Sequence, residues 1–181
     1  VLASYALQFE DINQSYELAG IIFKEDPQEQ VFDCVKDPFI VGFSNYFWNY
    51  KYNLDTAKAI KERYPECTIV FGGHQVPRNT EFLEKYPFID VLIFGEGEIP
   101  FLNLLRALNS KLEMSAVCNI AYRGEQGEIV KTEDKFEGVD NYPSPYLTGI
   151  FDKLCNVPEG LEFNAQRSEE HTSELQSLAT I

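Results

Sequence analysis

Basic residues are scarce in this 181-residue chain: 15 Lys and Arg stand against 29 Asp and Glu, a formal net charge of −14. Nucleic-acid phosphates are held by Lys/Arg patches, so this balance argues against a nucleic-acid partner. Long apolar runs are missing as well. None approaches the ~20 residues that cross a bilayer, so no membrane partner is expected. Tryptophan and methionine occur once each and histidine twice. The four cysteines, Cys34, Cys67, Cys118 and Cys155, are far apart and lack metal-type spacing. They read as reduced thiols of a cytoplasmic protein, with no metal ligands among them. Gly95-Glu96-Gly97-Glu98 has no basic residue to meet a triphosphate, and the Rossmann dinucleotide fingerprint is absent.

What is present is the material of a folded domain: 44% hydrophobic residues and 14% aromatics. The length gives room for one domain plus an extension. Residues 1–10 read as a helix, with Leu2, Tyr5, Ala6 and Phe9 at helical spacing. Apolar runs at Tyr16–Phe23, Phe39–Phe43, Thr68–Phe71 and Ile89–Phe94 read as buried strands. Helical patterns lie between and after them, at Gln28–Val35, Asn53–Tyr64, Thr80–Tyr86 (capped by Asn79) and Ile99–Leu108. This alternation predicts an α/β fold: a Rossmann-like, flavodoxin-like parallel sheet with helices on both faces. Residues 119–131 read as a C-terminal β-hairpin, and the Pro-bearing stretch 132–166 as an extended connector.

In such a sheet the loops at the carboxyl ends of the strands form the binding crevice. Three loops qualify: Ser44–Tyr50, Gly72–Pro77 and Gly95–Glu98. Gly72-Gly73 is either a tight turn or a place where a flat ligand passes close to bare backbone. Ser44 either satisfies its own turn or meets a ligand ring nitrogen. Tyr46, Phe47, Trp48 and Tyr50 are core packing or a ligand wall. His74 has no partner for acid–base work, and no catalytic residue is expected in the chain itself. The candidate binding residues are therefore Ser44, Asn45, Tyr46, Gly72, Gly73, His74, Gly95 and Glu96.

The two ends have a different character. The chain opens without Met, in what reads as mid-helix, and residues 167–177, RSEEHTSELQS, resemble the translation of a common short-read sequencing adapter. Residues 167–181 are therefore expected to be an artefactual tail, after an α/β domain at 1–131 and the connector at 132–166.

VGFSNYFWNY (Val41–Tyr50), IVFGGHQVP (Ile69–Pro77), IDVLIFGEGE (Ile89–Glu98) and YPSPYLTGIFD (Tyr142–Asp152) together resemble the N-terminal cobalamin (B12)-binding domain of B12-dependent radical S-adenosylmethionine (SAM) enzymes. The resemblance spans most of residues 1–166. It implies that Ser44, in S-N-Y where the common pattern is S-x-L, and the Gly72-Gly73 pair line a slot for the cofactor's nucleotide tail. It implies a first strand before Val1, which would also carry any D-x-H-x-x-G histidine. It further implies a downstream radical SAM domain holding a [4Fe–4S] cluster and SAM. The C-x-x-x-C-x-x-C cluster motif is absent, although Pro158–Gln166 resembles its lead-in. The function implied is that of a cobalamin-binding domain holding the corrin over a radical SAM barrel, for methyl transfer or related chemistry in the full protein. The competing reading is a cofactor-free domain of the same architecture that positions substrate or its neighbour. A receiver domain ranks below both, because no strand end supplies a phosphoacceptor Asp.

Overall fold

Along every central strand, alternate residues enter one of two separate hydrophobic cores. In the computed structural model, which describes residues 1–135 and 143–155 and the backbone of 178–180, Val41, Phe43, Ile69, Phe71 and Leu92 face one core. Ile40, Val70, Val91 and Ile93 face the other. A period of two with both faces apolar is the pattern of a sheet covered on each side.

The elements run α1 (Leu2–Ala6), α2 (Glu10–Asn13), β1 (Gly20–Ile22), α3 (Gln28–Cys34), β2 (Ile40–Ser44), α4 (Tyr50–Arg63) and β3 (Thr68–Gly72). They continue with α5 (Glu81–Lys85), β4 (Val91–Ile93), α6 (Glu98–Leu108), β5 (Ile120–Arg123), β6 (Ile129–Lys131) and β7 (Leu178–Thr180). Helices α3, α4 and α5 cover the first face through Val31, Ile60 and Leu83. Helices α1, α2 and α6 cover the second through Ala6, Ile12 and Leu105. The expected helices on both faces are found. The helix read over residues 1–10 is broken, because Phe9 is extended (φ −85°, ψ 126°) and starts α2 afresh.

The sheet order is β1-β7-β2-β3-β4-β5-β6. Strands β2, β3 and β4 pair in parallel; β5 pairs antiparallel to β4 and β6 antiparallel to β5, as the expected hairpin. The sheet is thus mixed rather than wholly parallel. The strand at 20–22 does not close against β2, nor does it border a gap. β7, from within the 167–181 stretch expected to be an artefactual tail, lies between them and is antiparallel to both. The remainder of that stretch lies outside the described residues, as does the Pro158–Gln166 lead-in.

Connector residues 143–155 return to the sheet beside β1. The Cys155 amide donates to the Ile21 carbonyl (2.8 Å), and Cys155 forms a disulfide with Cys34 at the end of α3. The reading of four reduced thiols is corrected here: two are bridged, while Cys67 and Cys118 are free. A sequence separation of 121 residues hid the pairing.

Candidate functional site

The parallel register sets Ser44 beside Gly72 and Gly42 beside Val70. On the α1/α6 face of the sheet, the carboxyl ends of β2 and β3 therefore carry almost no side chain. Above them lies a cavity of about 320 Å³. Its floor includes Gly42, Ser44, Val70, Gly72 and Ile93, and its helical side is formed by Leu2, Glu98 and Phe101. Connector residues Pro145, Tyr146, Ile150 and Phe151 close a third side, with the Tyr146 and Phe151 rings edge to face at 4.9 Å.

The two adjacent glycines have different jobs. A Cβ on Gly72 would have Ile93 as its nearest neighbour at 3.8 Å, so the position is sterically open. Gly73 has φ +97°, and a Cβ there would stand 2.7 Å from the Asn45 carbonyl oxygen and 2.8 Å from the Asn45 nitrogen. Only glycine fits that conformation and that approach. Gly73 is fixed by the neighbouring loop, whereas Gly72 keeps the floor low.

Three buried asparagines hold the rim. Asn49 and Asn53 each donate from Nδ2 to the Ser44 carbonyl, at 2.9 and 3.0 Å, and Asn53 Nδ2 also donates to Asn45 Oδ1 at 2.7 Å. The Asn45 amide donates to the Gly72 carbonyl at 2.7 Å, and the Gln75 amide donates to the Asn45 carbonyl. The loops after β2 and β3 are thereby tied to each other and to α4. Asn45 Nδ2 is buried with no hydrogen-bond partner among the described residues.

The aromatic loop divides. Tyr50 packs on Phe82, and its hydroxyl lies 3.2 Å from that of Tyr86. Burial pushes the Tyr50 phenol up to about 12. Tyr46 lines the cavity, stacks on Trp48 at 4.8 Å and meets the His74 ring edge-on at 5.5 Å. Phe47 and Trp48 are 77% and 53% exposed.

Of the candidate residues, Ser44, Tyr46, Gly72, Gly73 and Gly95 line the cavity. Asn45 lies behind the rim, and His74 and Glu96 are exposed beside it. The sequence reading passed over Gly42 and the connector wall. Gly42 was detectable, since it falls two residues before Ser44 and so shares its face. Among the described residues, no group of three or more His, Cys, Asp or Glu is placed to hold a metal ion, and no helix is long and apolar enough to cross a membrane.

Residues 15–105 match the model of the B12 binding domain. Over 170 residues, 91% of this chain, the sequence is 35% identical to the cobalamin-dependent radical SAM methyltransferase TokK of Streptomyces tokunonensis. It is 30% identical over 155 residues, 84% of this chain, to the 2-(S-pantetheinyl)-carbapenam-3-carboxylate methyltransferase of Streptantibioticus cattleyicolor. The chain spans 25% and 23% of the lengths of these two relatives. Among solved structures, 60% of the chain aligns with 15% of the cobalamin-dependent S-adenosylmethionine radical enzyme OxsB, at 23% identity and a TM-score of 0.49.

Proposed function

Because the chain belongs to the B12-binding domain family, we propose that its cavity takes the nucleotide tail of a cobalamin while the corrin rests outside, on the rim. The observation that carries this reading is the floor at Gly42, Ser44 and Gly72, kept bare where a side chain at Gly72 would project freely. At about 320 Å³ the cavity sits at the low end of small-molecule sites, roughly 300–1,000 Å³. That suits a flat heterocycle with its sugar but not a whole corrinoid.

In this proposal Gly72 lets the heterocycle lie against backbone, with Gly42 beside it. Ser44 Oγ donates to or accepts from a ring nitrogen or a ribose hydroxyl. Phe101, Tyr146 and Phe151 supply apolar walls that exclude water. Asn45, Tyr46, Gly73, His74, Gly95 and Glu96 belong to the rim, where Asn45 and Gly73 set the shape of the loops. When bound, the cofactor supplies a cobalt centre able to carry a methyl group. The domain of residues 1–131 holds it, and the connector from 132 to 166 leads toward a radical SAM domain with its own [4Fe–4S] cluster and SAM. Radical methylation is proposed for the whole protein, with this chain as the cobalamin holder. A cytoplasmic setting belongs to the same proposal. The Cys34–Cys155 bond stands against it, so fractionation of cells making the chain decides that point.

The test is to mix the full chain with hydroxocobalamin, desalt it and record the visible spectrum. A retained corrin spectrum at near-stoichiometric yield is expected. A colourless protein would overturn the reading in favour of a cofactor-free positioning domain.

A further inference from the structure

Arg78, just past Pro77 in the loop after β3, lays its guanidinium over the glycine loop that follows β4. A Cβ on Gly95 would stand 2.6 Å from Arg78 Nη2 and 3.7 Å from Cζ, so the absent side chain is the seat of the guanidinium. Gly95, held at φ +71°, also lines the cavity. Arg78 is therefore placed at the cavity mouth.

The other described arginines are engaged. Arg106 pairs with Asp11, Arg123 donates to the Leu83 carbonyl, and Arg63 lies over the Phe32 ring. Among the described residues, Arg78 has no ion pair, hydrogen bond or ring partner of this kind. Arg78 is exposed, so its guanidinium is open to a ligand at the mouth. The nearby carboxylates are otherwise occupied. Glu98 stands in the first turn of α6, facing the positive helix end, and also meets the charge of the Val1 amino group. Glu96 makes an interaction of its own. Helix α6 starts at Gly97 without a side-chain cap, so its first backbone N–H groups add positive potential at the same mouth.

We infer that Arg78 is an anion-binding residue of the cavity mouth and that its ligand is the phosphodiester of the cobalamin nucleotide loop. The inference rests on the reading that a cobalamin tail occupies the cavity. That phosphodiester joins the part of the ligand placed inside, base and ribose, to the corrin placed outside, so it crosses the mouth. The planar fork of a guanidinium matches two phosphate oxygens, which a lysine ammonium cannot reproduce.

The experiment titrates the full chain, its Arg78→Gln variant and its Arg78→Lys variant with hydroxocobalamin and with cobinamide. Cobinamide keeps the corrin but lacks the phosphodiester, ribose and base. Arg78→Gln is expected to weaken hydroxocobalamin binding about tenfold or more, the scale of a lost charge-assisted hydrogen bond. Cobinamide binding should stay within about twofold, and Arg78→Lys should recover part of the loss. The salt dependence of hydroxocobalamin binding should also flatten in Arg78→Gln. Unchanged hydroxocobalamin affinity with an unchanged salt slope overturns the inference, as does an equal loss for both corrinoids. A wild-type chain that binds neither corrinoid overturns the cobalamin reading itself. One that binds hydroxocobalamin no better than Arg78→Gln overturns the role of Arg78 alone.

Discussion

At the scale of single residues, neighbouring glycines of the same type serve unlike ends. Gly73 sits at φ +97° against the Asn45 backbone. An alanine there takes on a left-handed penalty of about 1–2 kcal/mol before its contact with Asn45 is counted. In a chain of this size each kcal/mol lowers the melting midpoint by roughly 2–4 °C. Gly73→Ala should therefore melt measurably lower by circular dichroism, whereas a wild-type midpoint would remove the structural role assigned to that glycine. Gly72→Leu should behave in the opposite sense. The fold admits its Cβ, but the side chain fills the cavity, so the variant should stay folded and retain no hydroxocobalamin after desalting. In the sequence this pair reads as one motif, because a Gly-Gly dipeptide says nothing about which member turns the chain and which clears space. Gly42 shares the face of Ser44 by its two-residue spacing, and the register then sets it beside Val70 on the cavity floor.

At the scale of elements, β1 to β6 were legible as short runs bounded by turn residues, whereas β7 falls in the stretch read as an artefactual tail. Helices α3 to α6 were legible through their spacing, within a residue or three at each end, whereas the helix read over residues 1–10 breaks at Phe9. Capping was not. Asn79 does accept from the Glu81 amide at 3.2 Å, yet the N-cap position falls to Thr80, whose side chain makes no capping bond. Ties between elements distant in sequence were also invisible. Arg106 of α6 donates from Nε and Nη2 to the Asp11 carboxylate of α2, at 2.9 and 3.2 Å. That hydrogen bond holds the Asp11 carboxyl below its ordinary value. A carboxylate depressed in the folded state adds stability above its unfolded pKa, about 3.9, and loses it as pH falls through the lower folded value. Arg106→Gln should therefore lower stability by a constant amount from neutrality down to about pH 5. Its curve should then converge with wild type as Asp11 protonates in both. Urea titrations across pH 2–7 check this, and a gap that persists at pH 2 would show that the lost contribution is packing rather than charge.

At the scale of the whole molecule, residues 143–155 form a wall of the cavity through Pro145, Tyr146, Ile150 and Phe151. Sequence could not show this, because Tyr146 and Phe151 stand more than seventy residues beyond the Gly72 floor they help to enclose. The Cys34–Cys155 bond closes a span of 121 residues, and Gly20 makes room for it, since a Cβ there would lie 2.7 Å from Cys155 Sγ. On a chain-entropy basis a loop of that size contributes about 4–5 kcal/mol. Reduction, or Cys155→Ser, should lower the midpoint and expose residues 132–155 to trypsin while leaving residues 1–131 largely protected. Equal digestion with and without the bond would show that packing alone holds the connector. The strand between β1 and β2 sets one further property. β7 is three residues long and touches β2 through only two register pairs, Val41 with Thr180 and Gly42 with Ala179. The sheet therefore has a fault line one short strand wide. Amides of β1 should exchange with deuterium long before those of β3, and a chain ending at residue 177 would bare two facing edges, each a template for another molecule's backbone.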